Sequence, residues 1–119
     1  MSFPSRIQGS GNSGLSATNI VGDTATGLVA VGSTAATALQ LSAVHNAITT
    51  SAVSTGVRLP PTEAGAMVTV RNDSGQTISI YPYNTNSTIN GTTSVTVVTA
   101  KTILLIATSA TTWVSLTGA

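Results

Sequence analysis

The stretch that decides the fold runs Gly56-Val-Arg-Leu-Pro-Pro-Thr-Glu-Ala-Gly-Ala-Met-Val-Thr-Val-Arg-Asn-Asp-Ser-Gly-Gln-Thr-Ile-Ser-Ile-Tyr-Pro-Tyr83. Val68 and Val70 alternate with Thr69 and Arg71, and Ile78 and Ile80 alternate with Ser79 and Tyr81. Period-two alternation puts one residue type on each face of a strand. Between the two runs, Asn72-Asp73-Ser74-Gly75 is turn chemistry: Asn and Asp side chains bond their own backbone, and Gly tolerates positive φ. The pattern predicts a hairpin of residues 67–71 and 78–81. Residues 56–59 predict a brief strand stopped by Pro60-Pro61, since proline cannot donate to a ladder.

The same stretch carries Arg58, Glu63, Arg71 and Asp73 in a chain of 119 residues with only four basic and three acidic side chains. Charged residues make up 6% of the chain, against roughly 25% in an ordinary soluble domain. Aromatics make up 3%, so Val, Ile, Leu and Ala must build the core. The polar side is mostly Thr and Ser, whose hydroxyls wet a surface but give little colloidal protection. Such a chain is expected to pack against other protein, the alternative being a soluble β-domain with a hydroxyl-rich surface.

Outward from the centre, the turn-separated apolar pieces predict further strands at 37–41, 45–50, 94–98, 101–108 and 112–116. Ile89 is expected to tuck under the body. Short strands at regular spacing predict an all-β fold, a small antiparallel β-sandwich or jelly-roll-like barrel spanning residues 34–119. Ile103-Leu-Leu-Ile106 is apolar on both pleat faces, so that strand is expected to be central or to have one face covered by another subunit. Residues 1–33 read as an extended N-terminal arm: Gly9-Ser-Gly-Asn-Ser-Gly14 is flexible and polar, and Ile20, Val21 and Leu28 are apolar anchoring points for a partner surface. The competing reading is a frayed terminus followed by one ordinary strand around 28–31.

Several chemistries lack their residues. Four dispersed cations, Arg6, Arg58, Arg71 and Lys101, are too few to neutralise a phosphate backbone, so no direct nucleic-acid binding is expected. The absence of cysteine excludes disulfides, a thiolate nucleophile and Cys-ligated metal. His45 is the only histidine and has no acid close in sequence, which argues against a triad or a metal site. Glu63 and Asp73 sit in turn contexts without an aromatic-lined cleft, which disfavours a glycosidase-like carboxylate pair. Gly9–Gly14 matches a phosphate-loop spelling but precedes no helix. No cofactor is expected, and the chain reads as a non-enzyme. The N-terminus lacks a signal-peptide core, and the longest apolar run is far short of a membrane span, so a protein made in the cytoplasm is expected. Tyr81 and Tyr83 flank Pro82 and suit a rim contact, or less readily a sugar stack. Trp113 suits the core first and a subunit contact second.

With these residues in place, a resemblance is visible. The runs Thr37-Ala-Leu-Gln-Leu-Ser-Ala, Gly56-Val-Arg-Leu-Pro, Ala64-Gly-Ala-Met-Val-Thr-Val-Arg-Asn, Ile78-Ser-Ile-Tyr-Pro-Tyr, Ile89-Asn-Gly and Ala107-Thr-Ser-Ala-Thr-Thr-Trp resemble the small β-domain of head decoration (cement) proteins of tailed bacteriophages. Similar domains also belong to tail or fibre-associated phage proteins. The resemblance covers roughly residues 35–116; Tyr83-Asn-Thr-Asn-Ser-Thr stands where the family has a Gly-rich loop. It implies a homotrimer on the capsid exterior that staples neighbouring major capsid protein subunits, with no membrane partner. Arg58 and Arg71 are the expected polar contacts between chains or to capsid. The alternative it leaves open is a tail, neck or fibre module with weak glycan binding through Tyr81, Tyr83 and Trp113.

Overall fold

The computed structural model describes residues 22–117, and those residues form strands and no helix. The protein is all-β over that span. Ten strands follow in order: β1 (Thr24–Val29), β2 (Leu39–Gln40), β3 (His45–Thr50), β4 (Gly56–Arg58), β5 (Met67–Asn72), β6 (Ile78–Tyr81), β7 (Thr88–Ile89), β8 (Val95–Val97), β9 (Lys101–Ala107) and β10 (Thr112–Thr117). They make a six-stranded sheet in the order β1-β3-β5-β9-β10-β7 and a four-stranded sheet in the order β2-β4-β6-β8.

The first six strands alternate between the sheets. β1, β3 and β5 pair in parallel in one, while β2, β4 and β6 pair in parallel in the other. Each pass thus crosses one sheet, turns a corner, crosses the other and returns one strand further along, which is a solenoid-like stacking. Parallel neighbours need a long crossover, and here the strand of the opposite sheet supplies it. The direction then reverses. β8 pairs antiparallel with β6, β9 antiparallel with β5, and β10 antiparallel with β9, so the third pass is closed by reversed strands.

This corrects the antiparallel sandwich or barrel expected from strand spacing. The expected hairpin is corrected too: β5 bonds to β3 and β9, and β6 to β4 and β8, so the two runs lie in different sheets. Alternation fixes which residues face a core, and it is silent on which strand lies alongside. The Asn72–Gly75 turn bends the chain from one sheet into the other. Asn72 is fully buried there. Its Nδ2 donates to the carbonyls of Gln76 at 2.6 Å and Val97 at 2.9 Å, and its Oδ1 accepts from the Ser74 amide at 3.0 Å and the Ser74 hydroxyl at 2.6 Å.

The expected arm is shortened. Thr24 pairs with His45 and Leu28 with Ile48, so β1 is an edge strand of the larger sheet within the span assigned to the arm. Ile20, Val21 and the glycine-rich stretch lie outside the described residues.

One hydrophobic core lies between the sheets. Ile48, Val68, Val70, Ile103, Leu105 and Trp113 reach it from the larger sheet, and Val57, Ile78, Ile80 and Val97 from the smaller. In the smaller sheet the apolar rung runs Leu39–Val57–Ile80–Val95 across four strands. Each fully buried side chain of this size contributes about 1.5–3 kcal/mol over leaving it in water. Close strand approach imposes a limit at Gly56, the first residue of β4, which is buried opposite Ser79 of β6. A Cβ there would lie 2.6 Å from the Ser79 carbonyl oxygen and 2.8 Å from Cε2 of Tyr81. Gly56→Ala is therefore expected to lower unfolding stability by about 1–3 kcal/mol, the usual penalty of overpacking. A denaturant midpoint equal to that of the parent chain would contradict this packing.

Candidate functional site

Alternation along β5, β9 and β10 sorts their side chains into two sets. Val68, Val70, Asn72, Ile103, Leu105, Ala107 and Trp113 point inward and are buried. Met67, Thr69, Arg71, Thr102, Leu104, Ile106, Val114 and Leu116 therefore point outward. Register brings the apolar members together: Met67 lies opposite Ile106, which lies opposite Val114, and Thr69 lies opposite Leu104, which lies opposite Leu116. Directly opposed side chains on one sheet face sit about 4.5–5.5 Å apart at Cβ, so the two rows form one contiguous band. Leu116 is 67% exposed, Met67 50% and Val114 42%. Leu104 and Ile106 are half-buried because strands flank them on both sides.

Single exposed apolar residues are ordinary, whereas a contiguous patch marks contact with another molecule. On β5, β9 and β10 neither row carries an ionisable side chain, and on β3 the second row continues to His45, opposite Thr69. The next row outward pairs Arg71 with Thr102. Arg71 is already engaged, its Nε donating to Asp73 Oδ1 at 2.8 Å and its Nη1 to the Ala100 carbonyl at 3.1 Å. That ion pair is largely solvent-facing and worth at most about 1 kcal/mol.

The other residues singled out in the sequence are dispersed. Arg58 lies on the outer face of the smaller sheet, its Nε donating to Gln40 Oε1 at 2.6 Å and its guanidinium carbon 4.6 Å from the centre of the Tyr83 ring. Tyr83 is 38% exposed, so Arg58 and Tyr83 form a stacked, accessible pair. Tyr81 is half-buried and donates its hydroxyl to the Ser33 carbonyl at 2.9 Å. Leu28 is partly buried and packs against the core. Trp113 is 1% exposed and donates from Nε1 to Thr62 Oγ1 at 3.0 Å. It is a core residue and offers no surface to a subunit or a sugar.

His45 stands on the outer face beside Thr69, its Nδ1 2.9 Å from the Thr69 hydroxyl. Among the described residues, no group of three or more His, Asp or Glu side chains is placed to hold a metal. Asn46 is buried; its Nδ2 donates to the Ala43 and Thr69 carbonyls, and its Oδ1 has no hydrogen-bond partner.

Sequence reading flagged Leu104 and Ile106 as apolar on the second face of their strand. It missed Met67, Val114 and Leu116. The signal was present at β10, where Val114 and Leu116 alternate with Trp113 and Ser115, so a buried Trp113 forces both outward. No protein-family model, no curated protein and no solved structure matches this chain.

Proposed function

We propose that the chain is a structural component of a phage virion: a head decoration (cement) protein that binds the major capsid protein lattice from outside, as a homotrimer, and stabilises the head. The observation that carries this reading is the apolar band of β5, β9 and β10 on a chain with so few charges. A surface of this kind is built for permanent contact with protein. The residue runs that resemble phage decoration proteins support the same reading; three of them fall on β4, β5 and β6.

The test is addition of the purified chain to expanded heads stripped of accessory protein. Saturable co-sedimentation with heads, with raised resistance of those heads to heat, is the expected result. Failure to bind heads, together with co-sedimentation with tails, would overturn it.

That second outcome belongs to the alternative, a tail, neck or fibre-associated module with weak glycan binding. One observation favours it: a surface cavity of about 340 Å³ lined by Ser33, Thr34, Tyr81, Pro82, Asn84 and Thr93 among others. Hydroxyls and an amide beside a tyrosine suit a neutral sugar. The Tyr81 hydroxyl is already donated to Ser33 and Trp113 is inside the core, so this reading stands second.

A further inference from the structure

We propose that Arg58, held in place by Gln40 and Tyr83, is a binding site for the side-chain carboxylate of an aspartate or glutamate on a partner protein. The identity of that partner, the major capsid protein lattice, rests on the reading above; the site itself does not.

The guanidinium is set in position before anything binds. Val57 points into the core, so Arg58 points outward, on a rung it shares with Gln40 and Tyr81. The Gln40 amide has one orientation open to it. Its Nε2 donates to the carbonyls of Leu41 at 2.9 Å and Leu59 at 3.0 Å, which leaves Oε1 to accept from Arg58 Nε at 2.6 Å. The Tyr83 ring covers one face of the guanidinium at 4.6 Å, where cation and ring quadrupole attract. With Nε and one face taken, the edge bearing Nη1 and Nη2 is left for an outside acceptor. Two parallel N–H groups on a plane match the two oxygens of a carboxylate. The side chain is already ordered, so little rotamer freedom is lost on binding.

Charge names the occupant. The chain has three acidic side chains, all among the described residues. Asp73 pairs with Arg71, Asp23 accepts from the Val44 amide at 2.9 Å, and Glu63 lines a cavity with Pro60, Met67 and Trp113. None of them is placed on Arg58, so its ion-pair partner comes from another molecule. Arg71 and Lys101 belong to the other sheet. Of the described cations Arg58 alone stands on this one, and a single guanidinium suits a monoanion better than a phosphate. It also lies outside the residues that line the cavity of about 340 Å³, on an open face. An acidic sugar would need enclosure and a ring to stack on, and the Tyr83 ring is taken. A carboxylate on a flexible stem, standing out from a protein surface, fits the open fork.

Two measurements on the full chain test the proposal. In the first, the isotope-labelled parent chain is titrated with a short polyglutamate peptide and, separately, with an oligouronate of equal charge, while the Arg58 Nε–H resonance is followed. The peptide is expected to shift it saturably and further than the oligouronate, and salt to reverse the shift. No shift with the peptide, or a larger one with the oligouronate, would overturn the proposal, and neither outcome depends on a variant folding. In the second, co-sedimentation with stripped heads compares variants whose circular dichroism matches the parent. Arg58→Gln is expected to weaken binding about tenfold, the worth of a hydrogen bond to a charged group. Arg58→Lys should lose nearly as much, because an ammonium keeps the charge without the fork. Lys101→Gln, an equal loss of charge on the other sheet, should leave binding unchanged. Gln40→Ala is expected to weaken binding in the parent and to change nothing in the Arg58→Gln background, the mark of a positioning residue that acts through Arg58. Heads that hold Arg58→Gln as tightly as the parent would overturn the carboxylate contact alone. A chain whose Arg58 answers the peptide but which ignores heads defeats the virion role alone.

Discussion

Trp113→Ala is expected to remove about 3–5 kcal/mol of stability, the usual cost of emptying a large aromatic site in a core. Trp113 is 1% exposed on β10, where it reaches inward toward the proline-bearing connection between β4 and β5. The change also removes the hydrogen bond from Nε1 to the Thr62 hydroxyl at 3.0 Å, which costs about 1 kcal/mol and leaves that hydroxyl its contact with Ser87. Domains of this size hold only about 5–15 kcal/mol in total, so the melting midpoint should fall by roughly 10–20 °C. Trp113→Phe keeps most of the volume and loses the N–H, and should cost about 1–2 kcal/mol. The pair of calorimetric scans separates the volume effect from the hydrogen bond. Equal losses for both variants would mean that the core does not close around this side chain.

The second large effect belongs to Asn72. Asn72→Ala is expected to cost about 2–4 kcal/mol, because it orphans buried acceptors that each carry a desolvation penalty of about 1–3 kcal/mol. The side chain is 0% exposed and ties three segments together: its own strand, the Ser74–Gln76 turn, and β8 through the Val97 carbonyl. Asn72→Asp is the discriminating variant. It keeps the shape but sets carboxylate oxygens against the Gln76 and Val97 carbonyls, so at neutral pH it should be at least as harmful as alanine. Urea unfolding of the two proteins makes the comparison, and an aspartate as stable as the parent would show that shape alone matters at this corner.

The strand positions were the legible part. Residues 45–50 and 78–81 coincide with β3 and β6, Ile89 is fully buried as expected, and β9 lies between β5 and β10 in the interior of its sheet. Alternation and turn residues suffice for such assignments because they act within a few residues of sequence. Pairing is a long-range property, and its trace here is weak. Register steps from Thr24 to His45 to Thr69 in one sheet and from Leu39 to Val57 to Ile80 in the other, with corners of unequal length. No fixed period survives to announce stacked passes. The turn at Asn72 misled for a physical reason, since Asx and Gly chemistry serves a sheet-to-sheet corner as well as a hairpin. Among the candidate contacts, Arg58 and Arg71 turned out to be held within the chain by Gln40 and Asp73. The apolar band needed three strands in register before it could be recognised.

The reversal of direction after β6 has a consequence for how the chain is made. The parallel passes present open edges along β5 and β6 that only β9 and β8 can cover, and both of those strands lie in the last quarter of the sequence. During synthesis the first two-thirds of the body must wait with those edges unpaired, and unpaired edges recruit other strands. The arrival of β8 and β9 therefore acts as a latch. β8 and β9 arrive together from one short connection, seal both sheets, and bring in β10 with Trp113 to fill the end of the core. A protein built this way becomes safe to accumulate at high concentration only once β8, β9 and β10 have been made and docked.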